Sequence, residues 1–459
     1  MKAYFSRHWI LCIAPLIFLL LKLSTTSIRL SDTNVYFYTA YQILQGKLLY
    51  ADIFFTNFPI FPYLSAIYLA LSDENIYLYY FSSSIEIALT SVFIYAIIYY
   101  QWKSRLYAIT GQCIYLFSFI ILATSDHQSG VFAASLFAVI SYFFFQRKKF
   151  FFTGCFLALA ILTKAYFLPL TATYGIYFLL RERRSLLKFV GGAGVTALII
   201  LSPFILFARE GLISNVFEYS LTRGAGTSKG QVFQFFMFRD SLFFFLLLTN
   251  LLLWKKHLFF ALFSLFSLVF ILLYQDIYYL YLNNMIPFLV LSFPIYQHFI
   301  TTKMNLQKMV IPSFVIIILV FNFFTYFSQY KTLQTVTNFE TLIQKINSAQ
   351  PEYLYGANDL TTLLAYTTNT PMLNNLVDTN GNIFRKGILD AKKLTQQAIA
   401  HKTILVVHGA SYPQYEVEDP ILDEVVVKDE ILKHCHMIYS HPVYAEGVTN
   451  RVNLFQCFD

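Results

Sequence analysis

Charged side chains are scarce in this chain of 459 residues. Only 13% of the residues are Asp, Glu, Lys or Arg, whereas about 25% is usual in water-soluble globular domains. With so few charges and 57% hydrophobic residues, the first two thirds of the chain cannot form a soluble globule of ordinary proportions. The composition therefore excludes the soluble class for this part and indicates a protein that dissolves in lipid.

The chain also lacks the residue spacings of several common binding sites. The run His434-Cys435-His436 fits no standard zinc pattern, so strand packing explains it better than metal binding. The glycine-rich stretch 223–230 lacks the Gly-x4-Gly-Lys-Ser/Thr spacing of a phosphate-binding loop, which argues against a nucleotide site. The net charge of +8 arises from short basic clusters spread along the chain, so we expect contact with anionic lipids and no nucleic-acid partner.

Long apolar runs stand where the charges are missing. Most contain about 16 to 22 residues, close to the roughly 20 that cross ~30 Å of hydrocarbon as a helix. We count eleven, at 8–23, 78–100, 106–123, 129–145, 150–163, 165–180, 187–207, 241–254, 258–273, 284–300 and 309–328. Together with a mean hydropathy of +0.56, they predict an all-α polytopic membrane bundle of about eleven transmembrane helices over residues 1–330.

Lysine and arginine clusters predict how the spans are oriented. Basic residues mark alternate loops as cytoplasmic, and Lys2 and Arg7 place the N-terminus on the same side. Lys22 follows the first run without a small-x-small cleavage site, so we expect an uncleaved anchor. An odd number of spans then leaves the C-terminal tail outside, in an integral multi-pass protein of the cell membrane.

The apolar segment 58–71 is treated separately from the spans. It has Pro59 and Pro62 near its start and is shorter than a comfortable crossing. If it crossed, the basic loops at Lys103 and Arg147 would no longer both face the cytoplasm. We therefore expect an interfacial or re-entrant segment.

The chain changes character at about residue 331, where charge rises and apolar runs shorten. Helix-like and strand-like stretches alternate from there, and we expect an extracytoplasmic α/β or α+β domain over residues 331–459. Cys435 and Cys457 lie in this domain, where an oxidising compartment would permit a disulfide without the spacing proving one. The strand-like stretches are 353–356, 403–407, 424–427 and 452–455, and the helix-like ones are 337–348, 358–368 and 387–400.

The residues that bear most on function lie in or beside the outward-facing loops. Asp32 follows the first span and precedes residues 35–44, which predict an amphipathic helix on the membrane surface. Asp126 and His127 lie in the second outer loop. Lys164 separates two short spans, where an isolated ammonium is costly unless it reaches a cavity and an anion.

The first outer loop resembles that of the GT-C superfamily of polyprenyl-phosphate-sugar-dependent glycosyltransferases, such as protein O-mannosyltransferases and lipid A aminoarabinose transferases. The similar features are the acid after the first span, a surface helix, the turn Leu49-Tyr50-Ala51-Asp52, and Pro59 and Pro62 before an apolar helix. Many members carry paired acids, and Thr33 stands where the second would be.

A second segment carries the same resemblance. The stretch 153–164, TGCFLALAILTK, is similar to the pattern Gly-x3-Gly-Leu-Ala-x2-Thr-Lys of family members, with Ala158 in place of the second glycine. An acid between the third and fourth spans, here Asp126, is also typical of the superfamily. The resemblance covers residues 8–300 in order.

The resemblance and the chemistry of a lipid-phosphate sugar together imply roles for these residues. Asp32 would be the general base that takes the proton of the acceptor hydroxyl, and a helix N-cap is a compatible alternative. Lys164 would bind the carrier phosphate, with snorkelling to the interface as the alternative. Further substrate contacts are expected from Asp52, Asp126, His127, Arg223, Lys229 and Tyr279. The 223–230 loop could instead be only mobile, and Tyr279 only an interfacial anchor.

The expected function is that of an inverting glycosyltransferase. It would move one sugar from a polyprenyl phosphate to a hydroxyl of a glycan, lipid or protein acceptor at the outer membrane face. Members that use monosaccharide carriers generally need no metal, so we expect no cofactor. A divalent cation held by Asp126 and His127 is the alternative, but one Asp and one His do not make a metal-ligand pattern. The rival is a transporter or flippase of lipid-linked sugars, which should show two similar halves, and we find no such duplication.

Overall fold

The computed structural model describes residues 10–28, 31–219, 226–275, 277–303, 310–330, 339–412, 417–442 and 449–458. Helices dominate the chain up to residue 330. They are Ile10–Thr25, Thr33–Leu44, Ile60–Leu71, Ile76–Trp102, Arg105–Leu116, Phe119–Thr124, Val131–Gln146, Phe150–Thr163, Leu168–Arg181, Arg183–Phe207, Arg209–Leu212, Lys229–Arg239, Ser241–Thr249, Leu258–Leu273, Ile286–Lys303 and Val310–Tyr330. Shorter 3-10 or π turns are Ala165–Phe167, Ile213–Glu218, Asn250–Leu253 and Tyr279–Asn284.

The apolar runs become helices as expected, but a count of eleven membrane spans is not confirmed. Among the described residues, two helices are long and apolar enough to cross a membrane, Ile76–Trp102 and Arg183–Phe207. A third span results if Lys229–Arg239 and Ser241–Leu253, which meet at a bend of 108°, count as one. The remaining apolar helices are shorter, and segment 58–71 is among them as the helix Ile60–Leu71.

Several runs that the sequence presents as continuous are broken, and polar groups accompany the breaks. The run 106–123 is interrupted at Phe117 and Ser118, and the next helix begins with backbone N–H groups of Phe119 and Ile120 that donate to Asp240, at 3.0 and 2.8 Å. A carboxylate at a helix N-terminus satisfies donors that the helix cannot. The break therefore costs little although it lies inside the bundle.

The C-terminal part contains a five-stranded mixed sheet. Its strands are β1 Tyr353–Gly356, β2 Thr403–Tyr412, β3 Val417–Asp419, β4 His436–Pro442 and β5 Thr449–Gln456. The order is β1-β2-β5-β4 with β3 on β2, and only the β1-β2 pair is parallel. Its helices are Phe339–Ala349, Asn358–Thr367, Gly381–Arg385, Ala391–Ala400 and Lys428–His434, with a 3-10 turn at Leu373–Asn375. Cys435 and Cys457 form a disulfide.

One predicted strand is wrong. Residues 424–427 form a turn and an irregular connection, and the next strand, β4, begins only at His436. Val425 and Val426 are buried in an apolar cluster, and the Tyr355 hydroxyl donates to the Val425 carbonyl at 2.6 Å. The valines therefore pack into the core although their backbone forms a loop. Strand propensity alone cannot distinguish such a loop from a strand.

The C-terminal part packs directly on the segment that follows the first helix. The helix Thr33–Leu44 is buried along most of its length, and Tyr366 sits against Phe37 and Tyr41 with ring centroids 4.7 and 5.0 Å apart. The side-chain amide of Asn34 donates to the Asp359 carbonyl. The helix that we expected on the membrane surface is thus covered by the C-terminal part, and the boundary at residue 330 stays a prediction.

Candidate functional site

A cavity of about 220 Å³, here cavity I, brings together four of the residues singled out from the sequence. They are Asp32, His127, Lys164 and Tyr279. The same cavity is lined by Tyr36, Ser129, Val131, Tyr166, Tyr278, Leu280, Tyr281, Asn380 and Asn382. Residues in or beside the loops that we predicted to face outward therefore meet residues of the C-terminal part at one place.

Asp32 occupies the N-cap position of the helix Thr33–Leu44, but its side chain makes no capping hydrogen bond. Its side chain is exposed and lines the cavity. Capping therefore does not engage this carboxylate, which is available to a ligand. Thr33, in the place of a second acid, is fully buried, and its Oγ1 lies 3.4 Å from His127 Nδ1.

Lys164 is placed by a break in the helical path. Its backbone is extended between the helix Phe150–Thr163 and the turn Ala165–Phe167, and the side chain is 4% exposed. The ammonium donates to the Tyr36 hydroxyl at 3.0 Å and to Asn57 Oδ1 at 3.1 Å, and lies 4.9 Å from the centre of the Tyr36 ring. Both acceptors are neutral, so neither cancels the ammonium charge. Lys164 points inward and does not snorkel along an outer surface.

A second cavity of about 220 Å³, cavity II, lies on the other side of Lys164 and Tyr166. Its walls include the apolar side chains of Phe58, Leu168, Val216, Phe270 and Tyr274, with Thr56, Asn57, Thr163 and Ala165 completing them. Lys164 thus stands between a space with both polar and apolar walls and a mostly apolar one. Such a position suits an amphipathic ligand with an anionic group.

A third cavity of about 430 Å³, cavity III, shares Asp32 and Asn380 with cavity I and continues into the C-terminal part. His408 lies in it between two carboxylates: Nδ1 is 3.2 Å from Asp423 Oδ1, and Nε2 is 3.6 Å from Asp359 Oδ2. Burial lowers the pKa of His408, but the hydrogen bond to Asp423 and the charges of Asp359 and Asp423 outweigh it and raise the pKa to about 9. His408 is therefore protonated at neutral pH.

The raised pKa of His408 predicts a pH dependence of stability. Because the folded pKa of about 9 exceeds the ordinary value of 6.5, the stabilisation is complete below about pH 6.5 and is lost as pH rises through about 9. We expect the difference in unfolding temperature between the parent protein and His408→Gln to be largest near pH 6 and to shrink towards pH 10. A difference that stays constant or grows over this range would contradict the assignment.

The structure does not bring Asp126 to cavity I. Its carboxylate is buried in the bundle, where Oδ2 lies 4.0 Å from Nζ of the fully buried Lys22. Lys22 also donates to the Tyr326 hydroxyl at 2.9 Å and to the Leu122 carbonyl at 3.2 Å. An ammonium and a carboxylate inside a bundle are each costly alone, so pairing them fixes where Asp126 points.

Removing one member of this pair should destabilise the protein strongly. Lys22→Met leaves the Asp126 carboxylate buried without its cation, and we expect a loss of about 3 to 5 kcal/mol in unfolding free energy. The double variant Lys22→Met, Asp126→Leu should recover most of the loss, because neither charge then remains buried. Thermal unfolding of the detergent-solubilised variants measures this, and additive losses in the double variant would contradict the pairing.

The other singled-out residues lie apart from cavity I. Asp52 is exposed, and its Oδ2 accepts the backbone N–H of Leu48 at 2.8 Å, which stabilises the turn. The ammonium of Lys229 donates to the Leu272 carbonyl. Arg223 lies outside the residues that the structure describes.

Sequence reasoning missed the contribution of the C-terminal part. Asn380 caps the short helix Gly381–Arg385 by accepting the Asn382 N–H at 2.9 Å, and both asparagines line cavity I. The sequence signal was only that of a local cap. His408 gives no such signal, because its carboxylate neighbours Asp359 and Asp423 lie 49 and 15 positions away in the sequence.

Of three comparisons with known proteins, the one with solved structures finds a similar fold. No family model and no curated protein matches the chain. Among solved structures, it is similar to ArnT from Cupriavidus metallidurans bound to undecaprenyl phosphate, with a TM-score of 0.63, 10% sequence identity and coverage of 98% of each chain. The chain therefore has the fold of this ArnT structure over nearly its whole length, which is the fold that the resemblance in the sequence led us to expect.

Proposed function

We propose that this protein is an inverting membrane glycosyltransferase that moves one sugar from a polyprenyl phosphate to an acceptor hydroxyl. The observation that carries the proposal is that Asp32 and Lys164 line one cavity, in the fold of a protein whose solved structure contains undecaprenyl phosphate. A carboxylate and an ammonium in one cavity supply the two charges that this reaction requires.

Lys164 is the proposed site of the donor phosphate. An anion there would replace or join the neutral Tyr36 and Asn57 at the ammonium. The isoprenoid chain would extend into cavity II, along Phe58 and Phe270. The sugar would then lie in cavity I, on the side of Asp32. In this placement the apolar tail lies in cavity II and the polar headgroup lies in cavity I.

The proposed chemistry is a single displacement. The acceptor oxygen forms a bond to the anomeric carbon, the bond from that carbon to the phosphate oxygen breaks, and the electron pair leaves on the polyprenyl phosphate. Asp32 takes the hydroxyl proton, and Lys164 stabilises the charge that grows on the phosphate. Attack opposite the leaving group inverts the anomeric configuration. With Lys164 as the cation, the proposed reaction requires no cofactor.

The proposal places this reaction at the extracytoplasmic face, with the N-terminus in the cytoplasm and the C-terminal part outside. The basic loops support that orientation. The substrate contacts expected of Asp52, Asp126, Arg223 and Lys229 stay predictions of the sequence, and the geometry supports His127 and Tyr279 more directly because both line cavity I.

Incubation of proteoliposomes with radiolabelled undecaprenyl-phosphate sugars and a panel of hydroxyl acceptors tests the function. We expect label on an acceptor, with one equivalent of undecaprenyl phosphate formed for each sugar transferred. Donor that crosses the bilayer intact, with no transfer to any acceptor, would contradict the proposal and favour a flippase.

A further inference from the structure

The side chains that line cavity III do not suit the isoprenoid donor. Most of its lining side chains are polar, in contrast to cavity II. They include Asp32, Asn358, Asp359, Thr379, Asn380, Arg385, His408, Asp423 and Glu424. An isoprenoid chain would gain nothing against such walls, whereas a ligand with many hydroxyl groups would find donors and acceptors on several sides.

Carboxylates outnumber cations in this cavity. Four line it, from Asp32, Asp359, Asp423 and Glu424. His408 is held between two of them, and Arg385 Nε lies 3.1 Å from Glu424 Oε2. Both cations of the cavity are thus already paired with carboxylates, which leaves an excess of negative charge. An anionic ligand would be repelled, and a neutral or amino-bearing one would not.

Asp359 provides an acceptor that the protein itself does not use. Its Oδ1 is buried and has no hydrogen-bond partner among the described residues. Burial raises the pKa of this carboxyl; the charge of His408 lowers it, and those of Asp423 and Asp32 raise it. Asp32 is therefore close enough to act on Asp359 electrostatically. A buried acceptor without a donor costs free energy that a ligand hydroxyl or amine can recover.

We infer that cavity III binds the acceptor, and that the acceptor is a carbohydrate without phosphate or carboxylate groups. The inference rests on the proposed function and names the substrate class of the same site. Asp32 is the link, because it lines both cavity I and cavity III and so faces the donor sugar and the acceptor hydroxyl together. The C-terminal part is then the portion of the chain that recognises the acceptor.

Binding of simple sugars to the full chain in nanodiscs is the first test. The probes are methyl glucoside, glucosamine and glucose 6-phosphate, and saturation-transfer NMR detects their binding. We expect signal from the first two sugars and at least tenfold weaker binding of the phosphorylated one. Asp423→Asn should weaken binding about tenfold, the usual loss when a charged hydrogen-bond partner is removed. Asp429→Asn, an exposed acid outside these cavities, should leave binding unchanged.

Transfer kinetics provide the second test. With a sugar acceptor, Asp423→Asn should raise the acceptor KM about tenfold and change kcat much less, because this residue does not touch the reacting atoms. Glu424→Gln is a second variant at a half-exposed position and should reduce the discrimination against glucose 6-phosphate. It keeps the test decisive if Asp423→Asn folds poorly.

The outcomes separate this inference from the proposed function. If the parent protein transfers sugar but both variants keep the parent's acceptor KM and selectivity, the acceptor site is elsewhere and the inference fails alone. Preferred binding of glucose 6-phosphate, or transfer only to peptides, would also overturn it. If the parent binds neutral sugars through Asp423 but transfers none, the proposed function fails and the carbohydrate site stands.

Discussion

Asp32→Asn is expected to lower kcat for sugar transfer by about 10²–10⁴-fold, the usual contribution of a general base. The amide has nearly the same shape but cannot take the proton of the acceptor hydroxyl. The side chain makes no capping bond in the parent, so the helix Thr33–Leu44 should keep its position and stability. Initial rates with saturating donor and acceptor, together with an unfolding curve, measure both effects.

Asp73→Asn is the matched control for this variant. Both acids lie between the helices Ile10–Thr25 and Ile76–Trp102 and both are exposed, but Asp73 follows the helix Ile60–Leu71 and lines none of the three cavities described. Its substitution should change kcat by less than about threefold, in line with a surface position. Equal losses in the two variants would show that negative charge on this segment matters in general, and Asp32 would lose its assigned role.

Lys164→Met should have the second largest effect. Among the described residues no other lysine or arginine lines cavity I or cavity II, so this variant removes the positive charge that would hold the donor phosphate and stabilise it as it leaves. We expect kcat/KM for the donor to fall about 10²–10³-fold, as when a charge-stabilising donor is removed from an active site. Lys164→Arg keeps the charge but not the shape and should retain part of the activity.

Lys47→Met is a suitable control for Lys164. Lys47 lies just after the helix Thr33–Leu44, donates to Asn375 Oδ1 at 2.7 Å and lines none of the three cavities described. Donor kinetics should stay close to those of the parent. If Lys164→Met binds the donor normally and loses only thermal stability, the lysine is structural and the phosphate lies elsewhere.

Local pattern was enough to predict most helices and the position of Asp32 and Lys164. Apolar runs give helices because a buried backbone must satisfy its own hydrogen bonds. Lys164 was identifiable because an isolated ammonium within an apolar segment is costly and therefore indicates a functional partner. The number of membrane crossings was less predictable, since runs such as 106–123 and 241–254 break into shorter helices.

The local sequence pattern could not predict which way individual side chains point. Asp126 and His127 are neighbours in sequence, yet His127 lines cavity I and Asp126 faces Lys22 inside the bundle. That choice depends on a cation more than a hundred positions away. The burial of the helix Thr33–Leu44 under Tyr366 depends on packing over a much larger separation in sequence. Such contacts are set by the tertiary fold and leave no periodic signal.

A cryo-electron microscopy structure of the protein in nanodiscs with undecaprenyl phosphate is the sharpest test that Lys164 binds the donor phosphate. We expect phosphate density within about 3 Å of Lys164 Nζ, as in a charge-assisted hydrogen bond. The isoprenoid should lie in cavity II, and cavity I should stay open towards Asp32. Phosphate bound at another basic residue, with Lys164 still donating to Tyr36 and Asn57, would contradict the assignment of Lys164 as the phosphate site.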